Sequence, residues 1–109
     1  MITDQHITDL LTDAKAGIGY WASRVKIDSY AHICAVEPAD GDGNARHLLT
    51  YTQIRHTIEQ IAHGNIPFTH LPLQALCQQM LEDFNMAGYD AGDADMIVQV
   101  ACFGDVVYG

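Results

Sequence analysis

The second half of the sequence contains no lysine or arginine, because all five basic residues lie between Lys15 and Arg55. The whole chain has a formal net charge of −9. Residues 56–109 therefore have a negative surface potential at neutral pH. Binding to nucleic-acid phosphates depends on lysine and arginine, so we expect no direct binding of nucleic acid. A basic protein is the favoured partner, although acidity that only maintains solubility gives the same composition.

The sequence also lacks an apolar run of about 18 residues, the length that a membrane span requires. The first residues, MITDQHITDLLTDAK, carry acids where a signal peptide needs basic residues. Three cysteines, Cys34, Cys77 and Cys102, lie far apart in apolar contexts, which favours buried thiols over a disulfide. We therefore expect no membrane association and a location in the cytoplasm.

The length of 109 residues fits one domain, since such a chain can close a single core and leaves no room for a second. Hydrophobic residues make up 49% of the chain and charged residues 17%, which is enough apolar material for a stable fold. Some apolar surface should remain for a partner, and a second copy of the chain is one candidate.

The first half predicts one helix followed by an antiparallel sheet. Thr3 is a typical N-cap, apolar residues follow at helical spacing, and Gly17 ends the helix. Alternating apolar and polar residues in GYWASRVKIDSYAHICAVEP predict two strands that separate near Asp28, the second over residues 31–36. The turn-rich PADGDGN then leads to a third strand in ARHLLTY.

The second half predicts three helices. Thr50 and Gln53 form a T-x-x-Q capping box for the second helix, which ends at Gly64. The third helix is predicted from about Leu73 to Asn85, because its apolar residues share one stripe. A loop over residues 87–92 follows it.

The closing sequence DAGDADMIVQVACFGDVVYG raises the question of why the chain ends on so apolar a segment. Asp93 as N-cap and Asp95 as a first-turn acid predict a fourth helix that is buried, with Val98 and Ala101 in the core. Gly104 ends it. A strand over residues 96–103 competes with the helix, because isoleucine and valine favour strands.

The predicted fold class is thus α+β. The remaining DVVY can add a short C-terminal strand. The expected architecture is a small antiparallel sheet of three strands, plus this short one, packed against about four helices.

The acidic turn DGDGNA resembles the start of a calcium-binding loop, with Asp40, Asp42 and Asn44 at the first, third and fifth positions. The glycine of that motif is replaced by Ala45, and the bidentate glutamate by Tyr51. A turn between strands is therefore the favoured interpretation.

Six histidines are many for this length, but none has the spacing of a zinc site. His56 and His63 share a face of the second helix, and His32 and His47 could meet across two strands, so either pair could hold a metal only with a third ligand. We expect no metal and no cofactor.

The sequence contains no recognisable catalytic or phosphate-binding motif. No catalytic residue is assigned, and whether the protein is an enzyme stays open, with a non-enzyme favoured. An active site would have to be assembled from scattered residues such as His70, Tyr89 and Asp90.

Two glycines lead directly into aromatic residues in GIGYWASR. Tyr20 and Trp21 could form the lip of a ligand site or an interface anchor. Core packing is the favoured interpretation for Trp21. Alternation along the strand sends Tyr20 to the other face, so its function stays open.

GIGYWASR, LTYTQIRHTIEQIAHG and ADMIVQVACFGDVVYG resemble small, acidic, uncharacterised proteins carried by actinobacterial phages and prophages. The resemblance covers most of the chain and implies no activity and no functional residue. It implies a phage gene expressed in a bacterial cytoplasm, among accessory genes that often encode inhibitors of host proteins.

Two functions follow. The first is a non-enzymatic binding protein, such as an inhibitor that presents an acidic, DNA-mimic-like face to a basic host protein, with Glu82, Asp83 and Asp90 as the binding acids. The alternative is a small-molecule binder or minor enzyme with a pocket between sheet and helices, bordered by Tyr20.

Overall fold

The computed structural model describes residues 1–39, 46–66 and 71–108. Within these ranges the chain has four α-helices, a three-stranded antiparallel sheet and one short 3₁₀ turn, so the fold class is α+β as predicted. In chain order the elements are α1 (Asp4–Gly17), β1 (Ala22–Asp28), β2 (Ile33–Pro38), β3 (His47–Thr50), α2 (Tyr51–Ala62), α3 (Leu71–Glu82), the 3₁₀ turn (Phe84–Met86) and α4 (Ala91–Phe103).

Local capping determines where the first two helices begin. The Thr3 hydroxyl accepts a hydrogen bond from the His6 backbone N–H, while His6 Nδ1 accepts one from the Thr3 N–H. The predicted box at the start of α2 is confirmed, because Thr50 and Gln53 exchange the same two bonds. Such reciprocal caps satisfy two N–H groups that a helix leaves unpaired. Gly64 adopts a positive φ of 72° just after α2, as predicted.

The start of α4 differs from the prediction. Asp90 is the N-cap, and its carboxylate accepts a bond from the Asp93 N–H, while Asp93 accepts one from the Asp90 N–H. The expectation that Asp93 is the N-cap is wrong by three residues, since aspartates at either position suit a cap. The helix assignment itself is correct, and Gly104 ends α4 in the left-handed conformation with a φ of 79°.

The sheet has the order β1-β2-β3. Its inner face contributes Cys34, Val36 and Leu49 to the core. Strand β2 begins at Ile33 rather than at residue 31, because the Asp28 carboxylate accepts the N–H groups of Tyr30 and Ala31 and holds them in a turn. The helices cover only one side of the sheet, and the outer side carries charged residues.

Helix α4 is central to the core, as predicted for an almost wholly apolar helix. Val98 is fully buried, whereas Ala101 is only half-buried, so the expectation of a buried Ala101 is wrong. Helices α1 and α4 approach closely at Gly17, where a Cβ would lie 3.3 Å from the Cβ of Ala91. No helix in the described ranges is long and apolar enough to span a membrane.

The predicted C-terminal strand is not formed over residues 106–108. The backbone N–H groups of Val107 and Tyr108 instead donate to Oε1 of the Gln99 side chain, at 2.8 and 2.7 Å. The buried Gln99 side chain thus replaces a neighbouring strand as the hydrogen-bond partner of these two residues.

Helix α3 also differs from its predicted bounds, because it ends at Glu82 and Asp83 caps a separate 3₁₀ turn.

Candidate functional site

A groove with acidic walls lies between α1 and the segment that joins α3 to α4. Its volume is about 320 Å³. Asp9 and Asp13 lie one helical turn apart on the exposed face of α1, so their carboxylates point to the same side. No lysine or arginine is among its described lining residues. We call this site the acidic groove, and it is lined by Asp9, Asp13, Phe84, Asn85, Ala87, Gly88 and Tyr89.

Tyr89 connects the two walls of the acidic groove. Its hydroxyl donates a hydrogen bond to Oδ2 of Asp13 over 2.8 Å. Burial, followed by the hydrogen bond to Asp13 and the negative charge of Asp13, raises the pKa of Tyr89, so the phenol stays neutral and keeps donating. This bond fixes the segment after α3 against α1. It uses Oδ2 of Asp13, so Oδ1 takes no part in it.

Aromatic rings form the apolar part of the acidic groove. His6 stacks on Phe84 with 4.5 Å between ring centroids and 14° between planes. Phe84 in turn meets Tyr89 edge-on at 5.5 Å. Ring surfaces beside carboxylates can bind the alkyl stem and the charged end of a lysine or arginine side chain.

The three predicted binding acids lie near this groove in the chain. Glu82, Asp83 and Asp90 are all exposed, and Asp83 and Asp90 immediately flank the segment 84–89. Both also accept backbone N–H groups, Asp83 from Asn85 at 3.2 Å and Asp90 from Asp93 at 2.8 Å. The bond from the Asp93 N–H is the main cause that lowers the pKa of Asp90. The carboxylate of Asp90 is therefore charged at neutral pH.

Asp9 and Asp13 belong to the site, although they are not among the binding acids predicted from the sequence. Their spacing of four residues, in a helix whose Leu10, Leu11 and Ala14 are buried, is a sequence signal for two acids on one exposed face. The hydrogen bond between Asp13 and Tyr89, in contrast, joins residues 76 positions apart. No local pattern predicts such a contact.

A second polar cluster surrounds the buried carboxylate of Asp95, which is 6% exposed. Its Oδ2 accepts a hydrogen bond from the Tyr20 hydroxyl at 2.5 Å. Its Oδ1 accepts bonds from Trp21 Nε1 at 2.7 Å and from Gln99 Nε2 at 3.0 Å. The sequence predicts Asp95 as a first-turn acid of α4, whereas in the structure it is the buried acceptor for three side chains.

This Asp95 cluster, formed by Tyr20, Trp21, Asp95 and Gln99, anchors the end of the chain. Gln99 Nε2 donates to the Tyr108 carbonyl at 3.1 Å, in addition to the two bonds that Oε1 accepts from the chain end. The Tyr108 ring stacks on Trp21 with centroids 5.1 Å apart and planes 7° apart. Val106 and Tyr108 are therefore partly buried against the core, whereas Val107 is exposed. Both carboxylate oxygens of Asp95 have partners.

The two residues of the proposed aromatic lip lie in different environments. Trp21 is 2% exposed, which agrees with the favoured core interpretation, while Tyr20 is 58% exposed. Desolvation of the hydroxyl and its hydrogen bond to Asp95 raise the pKa of Tyr20 to about 12. Tyr20 can contact a partner with its ring only, since its hydroxyl is held by Asp95.

Among the described residues, neither histidine pair considered as a metal ligand forms a group with a third ligand. His32 lies beside Asp4, with 3.4 Å between Nε2 and Oδ2, and His47 is opposite Val36 and packs on the Phe103 ring. In the described ranges, no three histidine, cysteine, aspartate or glutamate side chains are close enough to hold a metal. His70 and the calcium-like turn with Asp40, Asp42 and Asn44 lie outside the described residues.

The three cysteines are free thiols, and burial raises the pKa of Cys34 to about 11 and those of Cys77 and Cys102 to about 12. Such thiols are poor nucleophiles, so none of them supports a catalytic function.

Comparison of the chain with protein-family models, with curated proteins and with solved structures gave no significant match. A function is therefore inferred from the residues that the fold brings together. Of the two polar sites, the Asp95 cluster is internally saturated, whereas the acidic groove is open to solvent and can accept a ligand.

Proposed function

We propose that the protein is a non-enzymatic binding protein that receives a lysine or arginine side chain of a basic protein partner in the acidic groove. The observation that carries this proposal is the placement of Asp9 and Asp13 beside the half-buried ring of Tyr89, which packs on the buried Phe84. A cationic side chain gains both a carboxylate partner and ring contact there.

The distribution of charge supports a basic partner in particular. Asp83 and Asp90 flank the acidic groove, and residues 56–109 contain no lysine or arginine to neutralise them. Like charges without internal counter-ions sum to a field that accelerates association with a cationic surface. An acidic face of this kind can occupy the nucleic-acid site of a host protein, and the resemblance to phage proteins gives such an inhibitor its bacterial, cytoplasmic context.

A labelled peptide of eight arginines is a suitable probe, because it supplies the proposed side chain without a folded partner. The test compares Asp9→Asn/Asp13→Asn with the control Asp28→Asn/Asp105→Asn. Each double variant removes two negative charges, and an asparagine oxygen can still accept the backbone bonds of Asp28 and Asp105. We expect about tenfold weaker binding for the groove variant, in line with loss of a charge-assisted contact, and less than about twofold for the control.

Equal weakening by both double variants would overturn the proposal, because only the net charge would then matter. Circular dichroism of each variant confirms that the fold is retained. The Tyr89 hydroxyl can still donate to an amide oxygen at position 13, so loss of the groove wall is not expected.

Small-molecule binding is the second candidate, and one cavity favours it. A cavity of about 510 Å³ lies at the start of α1, lined by Met1, Ile2, Thr3, Asp4, Arg55, Glu59 and Leu81. Its volume is in the range of ligand pockets. It differs in place from the expected pocket at Tyr20, and a screen for ligands that raise the melting temperature tests it.

A further inference from the structure

The outer face of the sheet carries a cluster of basic side chains on this otherwise acidic protein. Arg24 lies opposite Glu37 and Lys26 opposite Ala35 in the β1–β2 register. Arg46 immediately precedes β3 and closes the group from the other side. Together these five residues line a cavity of about 120 Å³, so three of the five basic residues of the chain surround one small space. We call it the basic cavity.

The positive charge of the basic cavity is only partly neutralised. Glu37 is its single acidic lining residue among those described, and Glu37 Oε2 lies 3.9 Å from Arg24 Nε, beyond hydrogen-bond distance. No other described carboxylate forms an ion pair with Arg24, Lys26 or Arg46. The described lining residues of the basic cavity therefore carry a net charge of two positive units, in a chain whose total is −9.

An exposed apolar side chain borders the basic cavity. Leu48 lies opposite Ala35 in the β2–β3 register and is 56% exposed. It is two residues from Arg46, about 7 Å along the strand and on the same face of the sheet. A ligand bound by the three cations can therefore rest an apolar or aromatic body on Leu48.

We infer that the basic cavity binds the phosphate group of a small phosphate monoester, with the organic part of the ligand on Leu48. Arginine guanidinium groups bind tetrahedral oxyanions through paired N–H donors, and three cations from two sides match a dianion better than a carboxylate. The space admits one such group rather than a continuous backbone. The acidic remainder of the surface repels a long polyanion.

The test is a titration of the ¹⁵N-labelled full chain with two probes, inorganic phosphate and adenosine 5′-monophosphate, followed by amide chemical shifts. Both probes should shift the amides of residues 24–26, 35–37 and 46–48, and the nucleotide should bind more tightly. Arg24→Gln and Arg46→Gln should each weaken both probes about tenfold. Lys15→Gln, which removes one positive charge from α1, should change affinity less than about twofold.

Two further variants separate the parts of the proposal. Glu37→Gln should tighten both probes, because it removes the one negative charge of the basic cavity. Leu48→Ser should weaken the nucleotide and leave inorganic phosphate unchanged. The amide spectrum of each variant shows whether it is folded.

Three results would overturn the inference. One is that neither probe shifts the amides around the basic cavity at low salt. Another is equal weakening by Lys15→Gln and by the cavity variants, which would mean a general charge effect. The third is binding of a single-stranded oligonucleotide by this face when neither small probe binds, because the site would then be a nucleic-acid surface.

Discussion

The indole N–H of Trp21 donates a hydrogen bond to Oδ1 of the buried Asp95, 2.7 Å away and 74 residues later in the chain. This bond joins the entry to the sheet with the central helix α4. Tyr20 and Gln99 donate to the same carboxylate, and Gln99 in turn holds residues 107 and 108. The Asp95 side chain therefore links the entry to the sheet, the helix α4 and, through Gln99, residues 107 and 108.

Asp95→Ala should destabilise the protein by about 3 kcal/mol, because it leaves the buried indole N–H of Trp21 without its acceptor and removes the acceptor that the Tyr20 hydroxyl and Gln99 Nε2 share. Urea unfolding measures this change. The control Asp28→Asn removes an exposed charge but keeps an oxygen that can accept the N–H groups of Tyr30 and Ala31, and it should cost less than about 1 kcal/mol. An Asp95→Ala variant as stable as the control would show that the Asp95 cluster does not hold the fold.

Val98→Asp should prevent folding, since it places an unpaired charge in the core of α4. Ala101→Asp should fold, because the half-buried position 101 allows the carboxylate to reach water. Circular dichroism and thermal unfolding distinguish the two variants. A cooperative, wild-type melting transition for Val98→Asp would contradict the central position of α4.

Ionisation of the Tyr20 hydroxyl should destabilise the protein at alkaline pH. Its pKa rises from an ordinary value of 10.0 to about 12 in the folded protein, so the folded state binds the phenolic proton more tightly than the unfolded chain. The corresponding stability is complete below pH 10 and is lost as the pH rises from 10 towards 12. Urea unfolding as a function of pH measures it, and Tyr20→Phe should show a shallower decline. An identical decline in both proteins would refute the assignment.

Local features of this fold could be predicted from the sequence, and long-range contacts could not. The N-cap at Thr3 and the capping box at Thr50 are local signals, so the sequence predicts the starts of the first and second helices correctly. The sequence places the start of α4 three residues too late, because Asp90 and Asp93 both suit an N-cap. The prediction of a C-terminal strand is wrong, because the Gln99 side chain supplies the hydrogen bonds that a neighbouring strand would supply.

The candidate site shows the same division. The composition predicts that the second half is acidic. The helical periodicity and the predicted loop place Glu82, Asp83 and Asp90 on the surface, where the structure has them. Asp9 and Asp13 cannot be assigned to the site without the fold, since contacts between distant residues bring α1 against the segment after α3. These contacts are the Tyr89–Asp13 hydrogen bond and the stacking of His6 on Phe84.

The flanking acids should act on the rate of association. Glu82→Gln, Asp83→Asn and Asp90→Asn combined should slow association with the octa-arginine peptide and reduce its salt dependence, because they contribute to the long-range field. Dissociation should change little, since these side chains lie outside the groove lining. Stopped-flow fluorescence at low and moderate salt measures both rates. Unchanged association at both salts would mean that these acids serve solubility alone.

An amide chemical-shift titration of the ¹⁵N-labelled protein with the octa-arginine peptide shows where a cationic ligand binds. We expect the largest shifts at Asp9, Asp13 and residues 84–90, and we expect them to be lost in Asp9→Asn/Asp13→Asn but kept in Asp28→Asn/Asp105→Asn. Shifts spread evenly over all exposed acids, or centred on Tyr20 instead, would contradict the acidic groove as the binding site.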